Sequence, residues 1–535
     1  MVQEEDKAVV LITGAIDRHA IKKLREKSSL RVQYEPDCSR ETLERLVAAA
    51  KVLITRSETK IDAALIDKAK ELKVIARAAV GVANIDIEYA TEKGILVLNT
   101  PGKNTNSAAE LTLAILLSLL RKIPQAHQKV KEGGWDRHTF MGNELRGRKI
   151  GIVGLGNVGH RVAKFARGFD MEVFGYDPYI APEKFARFDV VSKPSLEELA
   201  SSVDILTVHV PLNRETRGCV NQEVLSAMKP GSFVVNAARG GVIEEKALYA
   251  ALESGHIAGA AIDTWEGEPD ILAKLAQHPR VICSPHIGAS TEEAQFAIGD
   301  SVYGQVLKAL EGGVVDYPVN LPQIGVIDNP LVKPYAILAE KLGRLAGQLN
   351  KSNPNKIEVL YRGDLAGVDH SLIKLGWMKG YVSCAVNSFV SFVNAGAHFE
   401  NLGLSLEESK DPNFESYRSA IKFVLHYKNG ETLSVGGIVF DQSYIRISLI
   451  DRYPFEVEPS GRFIVIRNED KPGVIGDVGS LLAREQVNID SFELSRSRQG
   501  GKALALVKID SEVNGAMMEK LMSLKHVLSA TAVSL

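Results

Sequence analysis

The chain has 535 residues, of which 24% are charged and 45% are hydrophobic, and its 64 Lys and Arg residues nearly balance 66 Asp and Glu residues. A chain of this length exceeds what a single hydrophobic core accommodates, so we expect several domains. The balanced charge, without a dense basic run, argues against a nucleic acid or an anionic membrane as a partner.

The N-terminus and the most apolar run do not have the pattern of a targeting or membrane segment. Met1 to Lys7 is acidic, where a signal peptide would be basic and then apolar. The run Leu111 to Leu120 is half the length that a bilayer requires and predicts a buried helix. The four cysteines form no close pair in the sequence, so we expect neither a metal site nor a disulfide framework. These features predict a cytoplasmic protein.

The N-terminal part of the chain alternates short β-branched runs with amphipathic segments. Runs such as AVVLI, VLITR, VIARA and ILVLN are typical of parallel strands joined by crossover helices. A long helical stretch is predicted from about Asn106 to Trp135, and a second alternating unit runs from Arg148 to His286. A further helix, Thr291 to Gly313, could return the chain to the first unit. The sequence therefore predicts two α/β units in series.

A glycine-rich turn opens the second unit. Gly154, Gly156 and Gly159 form G-x-G-x-x-G between an apolar strand and a helix, and Asp177 ends the next strand. The glycines would permit a tight turn, the approach of a pyrophosphate and close packing of helix on strand, and the helix N-terminus favours phosphates. Asp177 could accept hydrogen bonds from the ribose and repel a 2′-phosphate. Although an ordinary turn can have this pattern, its context predicts dinucleotide binding, with NAD favoured over NADP.

Three ionisable residues follow later strands of the same unit: Arg239, Glu268 and His286. Doubly wound sheets bind ligands at the carboxyl ends of their strands. A carboxylate beside an imidazole would fix its tautomer, so that His286 could hold a hydroxyl proton, and an arginine fork suits the carboxylate of a 2-hydroxy acid. Each residue alone could be a strand-end cap, a solvated acid or a hydrogen-bonded histidine. Together they predict an active site.

The motifs GLGNVG, NAARGGVIEE and PHIGAST, with the segment Asp263 to Glu268, together resemble the D-isomer-specific 2-hydroxyacid dehydrogenase family. The resemblance extends from about Lys7 to Asn320. It implies that Arg239 anchors the substrate carboxylate, that His286 is the acid/base and that Glu268 is its partner. The residues that it implies for NAD contacts, besides the three glycines and Asp177, are Asn157, Val158, Val210, Ala237, Ala238, Arg239, Asp263, His286, Gly288 and Ala289.

The stretches VLITRSETKID and IARAAVGVANIDIEYA resemble the branch of this family that oxidises 3-phosphoglycerate more closely than the lactate, glyoxylate or formate members. In that branch Arg56 would face the phosphate, with Ser57 beside it, and the backbone around Val80 and Gly81 would face the carboxylate. One departure is Ala83, where the family usually has an acidic residue, which could alter local capping or substrate contacts. With Arg239 and His286, these residues form the expected binding site for a phosphorylated hydroxy acid.

Two other functions remain open at this point. The substrate could be another 2-hydroxy acid, such as 2-hydroxyglutarate, or the chain could be a non-catalytic NAD-sensing interaction protein on the same fold. The intact set of Arg239, Glu268 and His286 argues against the second alternative.

The segment from about Leu321 to Glu458 differs in composition from the two α/β units before it. KIEVLYRGDL predicts a strand, Ser371 to Phe399 a helix, and Asn429-Gly430 the turn of a hairpin. The segment resembles the intervening domain of the long-form members of the same branch. Its lysines and arginines could bind an anionic effector, or they could form a solvated face.

The C-terminal segment has the predicted order β-α-β-β-α-β, which is that of ferredoxin-like folds. With the stretch DKPGVIGDVGSLLAREQVNI it resembles the ACT domain, a small module that senses amino acids. The resemblance implies an L-serine effector site between subunits at Asn468, Asp470 and Asn488. Serine-sensing bacterial versions often have histidine and asparagine at the first two positions, which could weaken the site or change its ligand. Alternatively, the module only dimerises the chain.

The sequence as a whole predicts an α/β protein with two Rossmann-like or flavodoxin-like units, an α+β intervening domain and a ferredoxin-like ACT domain. The expected domains are a substrate-binding domain at 1–102 and 287–320, an NAD-binding domain at 103–286, an intervening domain at 321–458 and an ACT domain at 459–535. The resemblance implies oxidation of 3-phospho-D-glycerate with NAD, the first step of L-serine biosynthesis. The long helical stretch and the ACT module suggest a homodimer or homotetramer.

Overall fold

The computed structural model describes residues 7–311, 313–321, 330–350, 352–414, 416–441, 443–496 and 501–535. The chain divides into two compact units. Unit 1 comprises Met1–Ala15, Leu24–Asn99 and Tyr303–Leu535, and unit 2 comprises Ile16–Lys23 and Thr100–Val302. The described residues form four β-sheets, with one in unit 2. The boundaries of the four expected domains stay predictions.

The first sheet has five parallel strands in the order β2-β1-β3-β4-β5. Three of its strands, AVVLI, VLIT and VIAR, are buried and mainly apolar, as expected for the middle of a parallel sheet that is covered on both faces. The elements in chain order are β1 (Ala8–Ile12), α1 (Arg18–Arg25), β2 (Leu30–Tyr34), α2 (Arg40–Val47), β3 (Val52–Thr55), α3 (Ala63–Lys68), β4 (Val74–Arg77), α4 (Ile87–Glu92) and β5 (Leu96–Leu98).

The second sheet has seven parallel strands in the order β12-β11-β10-β9-β6-β7-β8. The elements are α5 (Thr105–Arg121), α6 (Ile123–Lys131), β6 (Lys149–Val153), α7 (Asn157–Gly168), β7 (Glu172–Tyr176), α8 (Pro182–Arg187), β8 (Val191–Ser192), α9 (Leu196–Ser202), β9 (Ile205–Val208), α10 (Gln222–Ala227), β10 (Ser232–Asn236), α11 (Glu245–Glu253), β11 (Ile257–Ile262), α12 (Ala273–Ala276), β12 (Val281–Cys283) and α13 (Glu292–Leu310). The strand order reverses beside β6, the strand before the glycine-rich turn, and such switch points bind ligands.

The third sheet is mixed, with six strands in the order β14-β13-β15-β16-β17-β18. Only the β13 and β14 pair is parallel. The Trp377 indole lies in its core and stacks on Phe423, with 3.8 Å between the ring centres. The elements are α14 (Val332–Leu349), β13 (Lys356–Gly363), α15 (Ser371–Val382), α16 (Ala395–Asn401), β14 (Leu406–Asp411), β15 (Ser419–His426), β16 (Thr432–Phe440), β17 (Tyr444–Ile450) and β18 (Tyr453–Val457).

The fourth sheet is antiparallel, in the order β20-β21-β19-β22. Its elements are β19 (Arg462–Glu469), α17 (Val474–Arg484), β20 (Ile489–Arg496), β21 (Lys502–Ile509), α18 (Gly515–Met522) and β22 (Val527–Ser534). At the end of edge strand β22, the Gln348 side chain donates to the Ser534 carbonyl at 3.0 Å and accepts from the Ser534 amide at 2.9 Å. The predicted β-α-β-β-α-β order is confirmed.

Two predicted helices are shorter than expected. The helix from Asn106 ends at Arg121, because Lys122 takes a left-handed conformation with φ of 53° and Pro124 fits only the first turn of a new helix. The helix expected over Ser371 to Phe399 ends at Val382. In the irregular segment that follows, the Asn394 side chain accepts from the Ser391 amide and donates to the Phe389 carbonyl, so a side chain replaces helical bonding.

The predicted fold class is confirmed by the four sheets and their connections. Asn429-Gly430 forms the expected turn between β15 and β16, with Gly430 at φ of 83°. Among the described residues, no helix has both the length and the apolar character needed to cross a bilayer.

Candidate active site

Gly154, Gly156 and Gly159, the three glycines of the turn after β6, have different surroundings. Gly154 adopts φ of 88°, which favours glycine, and a Cβ atom on Gly159 would lie 1.9 Å from the Gly154 carbonyl oxygen. A Cβ atom on Gly156 would have no atom within 4 Å. Gly154 and Gly159 are therefore required by the protein's own packing, whereas the space beside Gly156 is open at the N-terminus of α7. This arrangement fits a bound pyrophosphate.

Asp177 follows β7 and fixes the glycine-rich turn. One carboxylate oxygen accepts from the Leu155 amide at 2.9 Å and the other accepts from the Tyr179 amide at 3.0 Å. Each oxygen has a second lone pair, so the carboxylate can still accept from ribose hydroxyls. Val210 also borders the turn, because a Cβ atom on Gly154 would lie 2.6 Å from its Cγ1. The remaining predicted contacts from this turn, Asn157 and Val158, are the first two residues of α7.

His286 and Glu268 form a direct pair. His286 Nδ1 lies 2.8 Å from Glu268 Oε2, and the other carboxylate oxygen of Glu268 accepts from the Trp265 amide at 2.7 Å. Burial acts to raise the pKa of the Glu268 carboxyl, but the bonds from His286 and Trp265 and the charge of Arg239 together hold this pKa below its ordinary value. Because an ionised carboxylate only accepts hydrogen bonds, Nδ1 carries the proton and Nε2 is available as a base.

Arg239 follows β10 in the loop that begins with Ala237 and Ala238. Its side chain donates from Nη1 to the Ala238 carbonyl at 2.6 Å. Burial lowers the pKa of the Arg239 guanidinium, and the Glu268 carboxylate opposes this change. Arginine nonetheless remains charged in proteins, so this half-buried cation is suited to bind an anionic group.

Asp263, which was predicted to contact NAD, holds the loop that carries His286. It is fully buried, and one carboxylate oxygen accepts from the Ser284 hydroxyl at 2.6 Å and the Ile287 amide at 2.9 Å. The other accepts from the Gly288 amide at 3.0 Å. His286 itself adopts φ of 56°, a left-handed conformation that costs free energy in a non-glycine residue. These bonds from Asp263 compensate for that cost, and Ala289 follows in the same loop.

Two residues of this site were missed by the sequence analysis. The buried Asn236 accepts from the Ala238 amide at 3.1 Å and donates to the Arg239 carbonyl at 2.9 Å, so it shapes the arginine loop. Glu245 accepts from the Glu266 amide at 2.7 Å. Burial raises the pKa of the Glu245 carboxyl, and the charges of Glu266 and Glu268 raise it further. The signal for both residues was the motif NAARGGVIEE, which begins with Asn236 at the end of β10 and ends with Glu245 at the start of α11.

The predicted substrate residues lie in unit 1, at the carboxyl ends of β3 and β4. Arg56 donates to the Ala15 carbonyl at 2.9 Å, and Ser57 accepts from Arg77 at 3.0 Å. Arg77 is the last residue of β4 and is buried, and the sequence analysis missed it although arginine within an apolar strand is unusual. Arg77 also donates to the Asn84 side chain. The structure therefore places the Ser57 hydroxyl beside the buried Arg77 guanidinium and directs Arg56 towards the Ala15 carbonyl.

The loop at Val80 and Gly81 is held by a hydrogen-bond chain. Asn99 donates to the Val80 carbonyl at 2.8 Å, and its own carbonyl accepts from Gln305 at 3.0 Å. Asn99 therefore orients the backbone that was predicted to face the substrate carboxylate. Ala83, the departure noted in the sequence, is exposed.

The predicted effector residues occupy different surroundings in the fourth sheet. Asn468 is buried in β19, where its Nδ2 donates to the Glu469 carbonyl at 2.7 Å and its Oδ1 has no partner among the described residues. Asp470 lies 3.6 Å from Arg496. Asn488 is exposed just before β20 and hydrogen-bonds to Asp510. Their role as an effector site stays a prediction.

Within the described part of the chain, no three His, Cys, Asp or Glu side chains are arranged to hold a metal ion.

Three family models match successive parts of the chain. The NAD binding domain of D-isomer specific 2-hydroxyacid dehydrogenases matches residues 113–288. The D-3-phosphoglycerate dehydrogenase intervening domain matches residues 331–451, and the ACT domain matches residues 462–526. These matches confirm the predicted resemblance, and they confirm NAD as the cofactor.

Relatives and solved structures agree with these models. The chain is 39% identical to the D-3-phosphoglycerate dehydrogenase of Archaeoglobus fulgidus over 98% of this chain and 100% of that protein. It is 37% identical to the D-3-phosphoglycerate dehydrogenase of Bacillus subtilis over 90% of this chain and 92% of that protein. A glyoxylate reductase from Paecilomyes thermophila superposes with a TM-score of 0.54 at 29% identity, over 58% of this chain and 98% of the other. The chain therefore belongs to the D-3-phosphoglycerate dehydrogenase family, a branch of the D-isomer specific 2-hydroxyacid dehydrogenases.

Proposed function

We propose that the chain oxidises 3-phospho-D-glycerate to 3-phosphooxypyruvate with NAD, the first step of L-serine biosynthesis. The observation that carries the proposal is the pairing of His286 with Glu268, with the charge of Arg239 acting on the same carboxylate. The near full-length similarity to phosphoglycerate dehydrogenases supports the choice of substrate.

The geometry supports a separate role for each candidate residue in unit 2. The glycine-rich turn and Asp177 would hold NAD, which would supply the acceptor for the hydride that leaves C2 of the substrate. His286 takes the hydroxyl proton on Nε2, because its Nδ1 proton is directed at Glu268. The Glu268 carboxylate stabilises the imidazolium that results, and Arg239 binds the substrate carboxylate. Asp263 keeps the His286 loop in its left-handed conformation throughout.

The residues of unit 1 provide the specificity in this proposal. Arg56, Ser57 and Arg77 bind the phosphate, and the backbone at Val80 and Gly81 contacts the carboxylate end of the substrate. A phosphate bound by two arginines contributes charge-assisted hydrogen bonds that a lactate molecule cannot make. The discrimination between substrates therefore depends on this cluster.

A comparison of substrates tests the proposal. NADH formation is measured with 3-phosphoglycerate, lactate and 2-hydroxyglutarate for the wild type and for His286→Asn. We expect 3-phosphoglycerate to give the highest kcat/KM, and we expect His286→Asn to lower kcat by about a hundredfold or more with little change in NADH binding. A higher kcat/KM for 2-hydroxyglutarate would contradict the substrate assignment. Near-native turnover of the variant would contradict the role of His286.

We further propose that L-serine binds the ACT domain at Asn468, Asp470 and Asn488 of paired subunits and inhibits the enzyme. The buried Oδ1 of Asn468, which has no partner in the described part of the chain, supports a polar ligand there. Such couplings are typically about 1 to 3 kcal/mol, so roughly 5- to 150-fold changes in apparent affinity are expected. Turnover is measured against serine concentration for the wild type and Asn488→Ala. Equal inhibition of both proteins would argue against the site, and no inhibition of the wild type would leave dimerisation as the role of the module.

The same proposal covers location and assembly. It places the enzyme in the cytoplasm, where an NAD-dependent reaction draws on the intracellular cofactor pool, and it assigns a homodimer or homotetramer. The four domains keep the boundaries expected from the sequence, with the substrate-binding domain at 1–102 and 287–320. Sedimentation of the purified chain would measure its assembly.

A further inference from the structure

A cavity of about 420 Å³ lies in unit 1 at the amino ends of the strands of the first sheet. Its walls include the residues that begin β1, β4 and β5, the end of α13, and the segment Phe389–Val393 that follows α15. The predicted substrate residues follow the carboxyl ends of β3 and β4. The cavity is therefore at the opposite edge of the sheet and is separate from the site described above.

The charges that line the cavity are unbalanced. They are Lys51, Lys73, Lys379 and Glu311. The Lys379 ammonium is bound to Glu340, 2.9 Å away. Within the described residues, no carboxylate pairs with Lys51 or Lys73, and both are partly buried. Two partly desolvated ammonium groups favour an anion beside them.

The two lysines are neighbours at the sheet edge. The Lys73 amide donates to the Lys51 carbonyl at 2.9 Å, so their side chains start from adjacent strands. The Lys73 ammonium lies 4.6 Å from the centre of the Phe389 ring, which is part of the opposite wall. This wall is fixed, because the Ser391 hydroxyl donates to the Gly94 carbonyl at 2.9 Å. The cavity is thus preformed rather than dependent on a ligand to order it.

The rest of the lining is mainly apolar. It includes Leu30, Leu96, Leu310, Val314, Leu372 and Phe392. A concave, largely apolar surface with a few polar groups is the usual composition of a small-molecule site, and the volume lies within the range of about 300 to 1,000 Å³ that such sites have. A small hydrophilic anion would leave the apolar wall uncovered, and a neutral molecule would leave the lysines without a counter-charge.

We propose that this cavity binds an organic monocarboxylate with an apolar body, with its carboxylate at Lys51 and Lys73. Isothermal titration calorimetry of the full chain tests it with three probes: octanoate, 1-octanol as the neutral molecule of equal length, and acetate as the carboxylate without the apolar body. We expect one octanoate per chain, bound at least about tenfold tighter than either other probe.

Substitutions place the binding in the cavity. In the double variant Lys51→Met/Lys73→Met, which keeps the aliphatic stems, we expect octanoate to bind at least about tenfold more weakly and no tighter than 1-octanol. Lys70→Met is the matched control. Lys70 is exposed and, like Lys73, precedes β4, so this substitution should leave the affinity for octanoate unchanged. Val314→Trp should fill the space and abolish binding of both eight-carbon probes, and thermal unfolding establishes that each variant is folded. Equal affinity for octanoate and 1-octanol in the wild type would overturn the proposal. So would an unchanged octanoate affinity in the double lysine variant, or octanoate binding by Val314→Trp.

Discussion

Replacement of Glu268 by glutamine tests the acid/base pair directly. The glutamine oxygen can still accept from the Trp265 amide, but the negative charge 2.8 Å from His286 Nδ1 is lost. A hydrogen bond to a charged group is worth about 1.5 to 3 kcal/mol. The side chains of His286 and Glu268 are 45% and 34% exposed, so solvent screening favours the lower half of that range. We therefore expect kcat/KM for 3-phosphoglycerate to fall roughly 10- to 50-fold, since about 1.4 kcal/mol corresponds to a factor of ten.

The assay follows NADH formation under saturating and limiting substrate. Because the pair acts on the proton that is transferred in the transition state, the loss should be in kcat, with the affinity for NADH unchanged. Glu266→Gln is the matched control: it removes an exposed carboxylate two positions away that pairs with Arg217, and it should change turnover less than about twofold. If Glu268→Gln keeps a kcat within about threefold of the wild type, the carboxylate does not support His286 as we describe.

Four further predictions concern the cofactor, the substrate loop and pH. Asp177→Ala should weaken NAD binding and reduce the preference for NAD over NADP, and an unchanged ratio of the two affinities would remove this residue from the site. Gly159→Ala should lower the melting temperature, because its Cβ would lie 1.9 Å from a carbonyl oxygen. Gly156→Ala should leave the melting temperature unchanged and weaken NAD binding. Equal melting temperatures of the two variants would contradict this distinction. Asn99→Leu should raise KM for 3-phosphoglycerate about tenfold or less without loss of NAD affinity, and an unaltered KM would show that the loop is oriented by other contacts. Burial lowers the pKa of His209 from 6.5 to about 3, so its neutral form stabilises the folded state above pH 6.5 and this contribution is lost as the pH falls. Between pH 7.5 and 5.5 the free energy of unfolding should drop by up to about 1.4 kcal/mol more in the wild type than in His209→Gln, as measured by denaturant titration.

Features with a local cause could be predicted from the sequence. The glycine-rich turn depends on Gly154, Gly156 and Gly159 and on the strand and helix that flank them, all within a few positions. The pairing of Glu268 with His286 could be predicted because both follow neighbouring parallel strands. The turn between β15 and β16 could likewise be predicted, because the dipeptide Asn429-Gly430 favours a hairpin turn by itself.

Features that depend on distant partners could not be predicted. Asn236 lies in the same motif as Arg239, but its Oδ1 also accepts from the Thr264 hydroxyl at 3.1 Å, and this contact between residues 28 positions apart has no signal in the sequence. Asn99 orients Val80 across 19 positions. Asp263 was predicted as an NAD contact, and the structure adds a role in holding the His286 loop, which depends on where the Ile287 and Gly288 amides lie in the folded loop. The break at Lys122 was missed because the apolar pattern continues on both sides of it.

The side-chain amide of Gln348 occupies the backbone hydrogen-bonding groups of Ser534 on one open edge of the ACT sheet. An edge strand exposes unpaired backbone groups, and natural proteins restrict such edges to prevent uncontrolled strand addition. A second chain that extended the sheet at this end of β22 would have to displace both Gln348 hydrogen bonds, at a cost of about 1 to 3 kcal/mol. Addition of a further strand is thereby disfavoured at the end of β22 that carries Ser534.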